Sequence, residues 1–539
     1  MGHRETLYHG GRIHTADTKR PEANAVAVRD GIIVAVGSEQ QCRSSLSQDF
    51  DSVDLTGAVL LPGFIDTHLH PPAMIIYELG ADLTGVASME DLRRRIREMA
   101  EKDPSSNWVM GLQFEDQSLV PPRLPDRHDL DKACANRPVV LMKRDGHTVM
   151  ANSEAIRAAG VSGATPDPSG GRIDREPDGS PSGVFRETAA QILIDAMPFP
   201  DIQTIVDAAA SVFARLAANG ITSVGMILQT DEEGISGSKG VFDVPLMELV
   251  SDAIPISLYT ILAGADINKI KAAQHSVLHR SEPGRGRRVN GYKLWADGTF
   301  ASSTAYLRLP FSDGPDKTGF LIHKPEEMYR RMVDAHNAGL QIAIHSIGDA
   351  GTQVCIELYD RLLREFPRPN HRHRLEHASL LDDRLIADIV RLDLVVSTQP
   401  IFIHSEKGWL HQRLGPDRAK WVYPFRSMLD AGVRLAGASD APVESLNVLH
   451  AIQCCVTREG FEPQQAITAD EAIGMFTINA AYAQFEENVT GSITPGKRAD
   501  LVILDNHPAS VPPESIKDIQ VQQTICAGRV IYDAFSTKS

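Results

Sequence analysis

Between residues 61 and 440 the chain repeats one unit, a short apolar run that reads as a buried strand followed by a helical pattern. The strand candidates are LPGFID (61–66), GITSVGM (220–226), IPISLYTIL (254–262), VNGYKLW (289–295), LQIAIHS (340–346), HRLEHA (373–378), LVVSTQP (394–400) and VRLAGASD (433–440). PEEMYRRMVDAHNAG, DAGTQVCIELYDRLLREF and DDRLIADIVRLD place apolar residues three and four apart, the period of a helix that buries one face. Eight strands alternating with helices fit a (β/α)8 TIM barrel of the α/β class. An open doubly wound sheet is the rival, and its main positive sign, a G-x-G-x-x-G after an early strand, is missing.

The two ends of the chain follow a different pattern. LYHGGRIHTAD, NAVAVRDGIIVAVGS and SVDLTGAVLLPG near the start, and GSITPGKRADLVILD and IQVQQTICAGRVIYD near the end, are strand-like runs broken by Gly and Asp. Both ends are expected to pair into one small β-sandwich domain, residues 1–60 with 489–539, around a barrel over 61–488. A long interval separates the first two barrel strands. It reads as an insertion, about 75–205, placed on the barrel face where loops build active sites. Its apolar residues, among them Trp108, Phe114, Leu119 and Phe185, serve either a hydrophobic substrate or the insertion's own core.

Length and composition bound the function. A chain of 539 residues exceeds one ordinary core. The formal net charge of −16 and the absence of a basic face disfavour nucleic acid, and GRGRR at 284–288 reads as a solvated loop. No apolar run is long enough for a membrane span, and the first residues lack the apolar core of a secretion signal, so a cytoplasmic protein is expected. The six cysteines are scattered without a C-x-x-C pair, which points to buried thiols rather than disulfides or a cysteine zinc site. A small-molecule substrate is the expected partner, with a homodimer as a common outcome for such enzymes.

Chemistry-bearing residues collect at strand ends. His68 and His70 close GFIDTHLH, and residues two apart on a strand share a face, so both imidazoles can aim at one ion. Alone, H-x-H is a weak signal. His345 ends LQIAIH, His377 ends HRLEH, Asp440 ends VRLAGASD, and Lys293 lies within VNGYKLW. Each has a structural alternative: a satisfied core histidine, a helix cap for Asp440, a buried ion pair for Lys293. Their shared position at strand ends favours one metal site over separate coincidences. An ion there would acidify its water towards ~7, with Asp440 as proton carrier. Lys293, costly as a buried ammonium, becomes an anionic oxygen ligand if carboxylated.

Taken in order, GFIDTHLH, KLWADG, IHSIGD, LEHAS, GASDAPV and GSITPGKRADLVILD resemble the amidohydrolase superfamily, and within it the YtcJ-like branch that includes N-substituted formamide deformylase. The resemblance spans nearly the whole chain. It implies a distorted barrel with a β-sandwich and one or two divalent ions, zinc first. It also implies ligands at His68, His70, Lys293 (carboxylated), His345, His377 and Asp440. The expected reaction is hydrolysis of an amide, formamide or cyclic amide. A C–O hydrolase, such as a lactonase or esterase, is the alternative on the same site. A non-catalytic relative should have lost ligands. Further pocket candidates are His147, Trp295, Asp297 and His404, with Gln399 and Glu187 behind them. Asp297 is as well read as a residue that orders its loop, and Glu376 as structural, since alternation turns it away from His377.

Overall fold

The computed structural model describes residues 5–102, 107–116, 119–143, 148–168, 171–198, 200–232, 237–282, 285–314 and 316–536. The chain divides into two compact units, Met1–Pro71 with Phe213–Ser539, and Pro72–Val212.

Eight parallel strands form the centre of the first unit. They are β1 (Phe64–Leu69), β2 (Ile221–Gln229), β3 (Ser257–Ala263), β4 (Arg285–Trp295), β5 (Gln341–Ser346), β6 (Arg374–His377), β7 (Val395–Thr398) and β8 (Arg434–Gly437). They pair in sequence order from β1 to β8. Beyond β8, the Asp440 N–H donates to the His68 carbonyl and the His70 N–H to that of Ala441, both at 2.8 Å, so the first and last strands meet at their C-terminal ends. The result is a nearly closed barrel, as the sequence predicts. Every residue of β1, β2, β3, β5, β6 and β7 is buried. Strands covered on both faces read as continuous apolar runs, which is why the alternation was legible. The helices Pro325–Asn337, Asp349–Glu365 and Asp383–Arg391 each bury one apolar stripe, Leu385, Ile386 and Ile389 in the last, whose Asp382 side chain accepts from the Leu385 N–H at 2.8 Å.

The expected first strand is divided. Val59–Pro62 belongs to the sheet of the chain ends, and β1 begins only at Phe64. Gly63 lies between them because Thr222 crowds the backbone: a Cβ there would come within 2.4 Å of it. The sheet of the ends runs Arg529–Asp533, Val521–Cys526, Leu501–Leu504, Val59–Pro62, Glu5–His14, Glu22–Arg29, Ile32–Gly37, with Asp51–Asp54 also against Glu5–His14. It is mixed, since Glu5–His14 pairs parallel to Asp51–Asp54 and Val59–Pro62 and antiparallel to Glu22–Arg29. One face buries Tyr8, Val26, Val28, Leu501 and Ile525; the other packs Leu7, Ala25 and Ala27 on Cys42.

The second unit holds a six-stranded sheet in the order Gly171–Arg175, Pro181–Glu187, Thr148–Ala151, Val139–Lys143, Val109–Phe114, Ala81–Asp82. Phe114, Leu119 and Phe185 are fully buried in its own two cores, and Trp108 packs against one of them. They serve the unit's interior. No helix among the described residues is long and apolar enough to cross a membrane.

Candidate metal centre

His68 and His70 leave the end of β1 with their rings 5.4 Å apart. The His68 Nδ1–H donates to Glu376 Oε2 at 2.6 Å. A carboxylate only accepts, so Nδ1 carries a proton and Nε2 is the atom whose lone pair a metal would take; against burial and the Lys293 charge, Asp440 and Glu376 raise this ring above the ordinary imidazole value. His68 Nε2 lies 3.3 Å from Asp440 Oδ1, and His70 Nε2 lies 3.1 Å from the same oxygen. His377 joins from β6, its ring 5.2 Å from that of His68 and 4.4 Å from that of His345. One ligand atom each from His68, His377 and Asp440 lies within 4.8 Å of the others. The His345 Nε2–H donates to the Gly298 carbonyl at 3.2 Å, which leaves its Nδ1 as the free lone pair. Outer hydrogen bonds of this kind orient metal-binding histidines.

Backbone geometry brings these groups together. His377 has φ +70° and Asp440 φ +62°, left-handed conformations that non-glycine residues adopt rarely and that concentrate at functional sites. Asp66 braces the loop after β8, accepting from the His68 and Ser439 N–H groups at 3.1 Å; burial pushes its carboxyl up to about 6. Burial alone would raise Asp440 too, but His68 and His70 beside it hold the carboxyl well below its usual range. Burial, reinforced by the Lys293 charge, takes His345 down to about 3, so its imidazole is neutral and able to donate a lone pair.

Lys293 is 1% exposed on β4, and its Nζ has no hydrogen-bond partner among the described residues. Burial lowers its amine to about 8, with Glu376 and Asp440 opposing. A buried amine without a partner, two histidines with an oriented lone pair and an ionised carboxylate together fit a divalent cation.

The remaining candidates scatter. Trp295 stands beside Lys293, whose Nζ is 5.5 Å from its ring. Asp297 accepts from the backbone N–H groups of Tyr306, Ile347 and Gly348 at 2.8–2.9 Å and so orders its loop; burial raises it to about 7. His404 is half exposed and donates to Glu459, which His450 and Lys407 also hold. His147 lies outside the described residues, as does the side chain of Glu187. Glu376 departs from the sequence reading. It faces His68, and Arg374 clamps it through Nε at 2.7 Å and Nη2 at 2.9 Å. The positive φ of His377 breaks the alternation that was expected to turn Glu376 away.

The model of the amidohydrolase family matches residues 51–532. The chain belongs to the amidohydrolase family. It is a metal-dependent hydrolase, with the buried His68, His377 and Asp440 cluster at the C-terminal ends of the barrel strands. The amidohydrolase is similar to YtcJ of Bacillus subtilis, 29% identical over 98% of this chain and 99% of its relative. It is also similar to N-substituted formamide deformylase of Arthrobacter pascens, 28% identical over 98% of both. Among solved structures it resembles an uncharacterized metal-dependent hydrolase from Pyrococcus furiosus, with TM-score 0.75 and 26% identity over 94% of this chain and all of the other.

Proposed function

We propose that this amidohydrolase hydrolyses a non-peptide C–N bond, in an amide, formamide or cyclic amide, at a zinc centre held by His68, His70, His345, His377, Asp440 and a carboxylated Lys293. The observation that carries the reading is the Glu376–His68–Asp440 line: a carboxylate on Nδ1 aims Nε2 at an ionised Asp440. The Lys293 amine, which burial lowers to about 8, could add CO2, and as a carbamate it would offer an anionic oxygen ligand to the ion or ions held there. A bound divalent ion supplies a Lewis acid and makes water reactive near neutral pH. Asp440 then accepts the proton of the attacking water at an Oδ and delivers it to the leaving nitrogen. Glu376 holds His68 in place during this exchange, and Arg374 holds Glu376. The relative from Arthrobacter pascens, named for N-substituted formamides, supports the amide class for this chain.

Elemental analysis of protein purified without chelator, with turnover of an amide and formamide panel before and after chelation, tests the reading. One to two equivalents of transition metal, and activity lost with the metal and restored by zinc, are expected. A metal-free protein that still turns over sinks it.

A further inference from the structure

Gln399 follows β7, the strand between β6, which ends in His377, and β8, which leads to Asp440. Its side chain is completely buried, and neither Oε1 nor Nε2 has a hydrogen-bond partner among the described residues. Other buried glutamines of this unit keep at least one partner, Gln484 through Oε1 alone among the described residues. Gln341 donates to the Arg372 and Ala483 carbonyls and accepts from the Tyr259 hydroxyl. Gln465 accepts from the Ser427 N–H and donates to its hydroxyl. Two residues before Gln399, the Ser397 hydroxyl meets that of Thr67 at 2.9 Å, next to His68 in the chain. Phe402, whose N–H closes a turn on the Gln399 carbonyl, stands edge-on to His377. A buried amide that follows the strand between those leading to His377 and Asp440, with both ends unmatched among the described residues, is costly unless a ligand completes it.

We propose that Gln399 is the specificity-determining residue that makes this site prefer a secondary amide over the corresponding ester. The inference rests on the hydrolytic reading above and deepens it. Gln399 Oε1 accepts from the substrate N–H, and Nε2–H donates to a substrate oxygen. An ester presents an oxygen where the amide presents N–H, so two acceptors face each other and a buried group stays unpaired. Sites built to bond a substrate N–H or O–H reject analogues lacking it far more strongly than apolar pockets reject a missing methylene.

The test uses zinc-loaded wild type and Gln399→Met, close in shape but without amide hydrogen bonds, on matched pairs: δ-valerolactam with δ-valerolactone, and formanilide with phenyl formate. The variant's amide-to-ester ratio of kcat/KM should fall by roughly 10²-fold or more, mainly through the amide. Its Tm should stay level or rise, because an unmatched buried amide has been removed. An unchanged ratio in an active variant overturns the inference and leaves the hydrolytic reading standing. A clear fall in Tm with an unchanged ratio makes Gln399 a structural amide and also overturns it. Wild type that is inert towards every member of the panel removes the hydrolytic reading and this inference with it.

Discussion

The barrel carries a histidine cluster at each end, and the two are wired in opposite ways. At the C-terminal ends of the strands, His68 and His345 give one ring N–H each to acceptors, Glu376 and the Gly298 carbonyl, and so leave the opposite ring nitrogen for a metal. At the N-terminal ends of β5 and β6, the cluster is His336, His371 and His373. There His373 Nδ1 accepts from the Ile342 N–H at 2.9 Å, and His371 Nδ1 from the His373 N–H at 3.0 Å. The acceptor role of Nδ1 places the His373 proton on Nε2, which donates to His336 Nδ1 at 2.9 Å. Backbone donors consume the lone pairs at this end; acceptors free them at the other. Both clusters are buried, so burial does not separate the proposed ligands from the other histidines. The direction of the hydrogen bond does.

That contrast can be broken experimentally, most severely at Asp440. Asp440→Asn should lose activity by roughly 10²–10⁴-fold, the usual worth of a positioned acid–base group, while metal content stays near wild type. Unchanged turnover would remove Asp440 from its role. Glu376→Gln should weaken metal affinity about 10–100-fold, because the amide no longer fixes His68 as a lone-pair donor. Competition with a graded chelator reads the change, and an unaltered affinity would reduce Glu376 to packing.

At the other end the readout is stability. Burial, with Arg368 reinforcing and Asp393 opposing, holds His371 down to about 4, and burial also holds His373 well below the ordinary imidazole value. A folded value below the unfolded ~6.5 means that the unfolded chain takes up protons first as pH falls. Stability present above ~6.5 is therefore lost towards pH 4. Melting of chelator-treated protein across that range should show the decline, and His371→Leu should flatten it without altering metal binding at neutral pH. A slope identical in the variant would break the assignment.

The sequence made the barrel, and the residues proposed for its site, legible for one reason: strands buried on both faces announce themselves as apolar runs, and a polar residue at the end of such a run stands out. His68, His70, Lys293, His345, His377 and Asp440 all do so. Glu376 was equally visible but misread, since strict alternation fails where His377 turns left-handed. Gly63 hid a strand boundary inside one apolar run, because the crowding that requires it comes from Thr222, far along the chain. His404 could not be placed, since its partner Glu459 lies on a separate segment also at positive φ.

The sheet of the chain ends has a consequence for synthesis. Val59–Pro62 is made well before its antiparallel partner Leu501–Leu504, more than four hundred residues further along the chain. At ~5–20 residues per second the strand waits roughly 20–90 s with an apolar edge unmated. Glu5–His14 shields its other side in the meantime. A nascent chain thus holds a half-built seam open until Leu501–Leu504 has been made. A product that stops short of Leu501 carries an unpaired edge open to pairing with another chain.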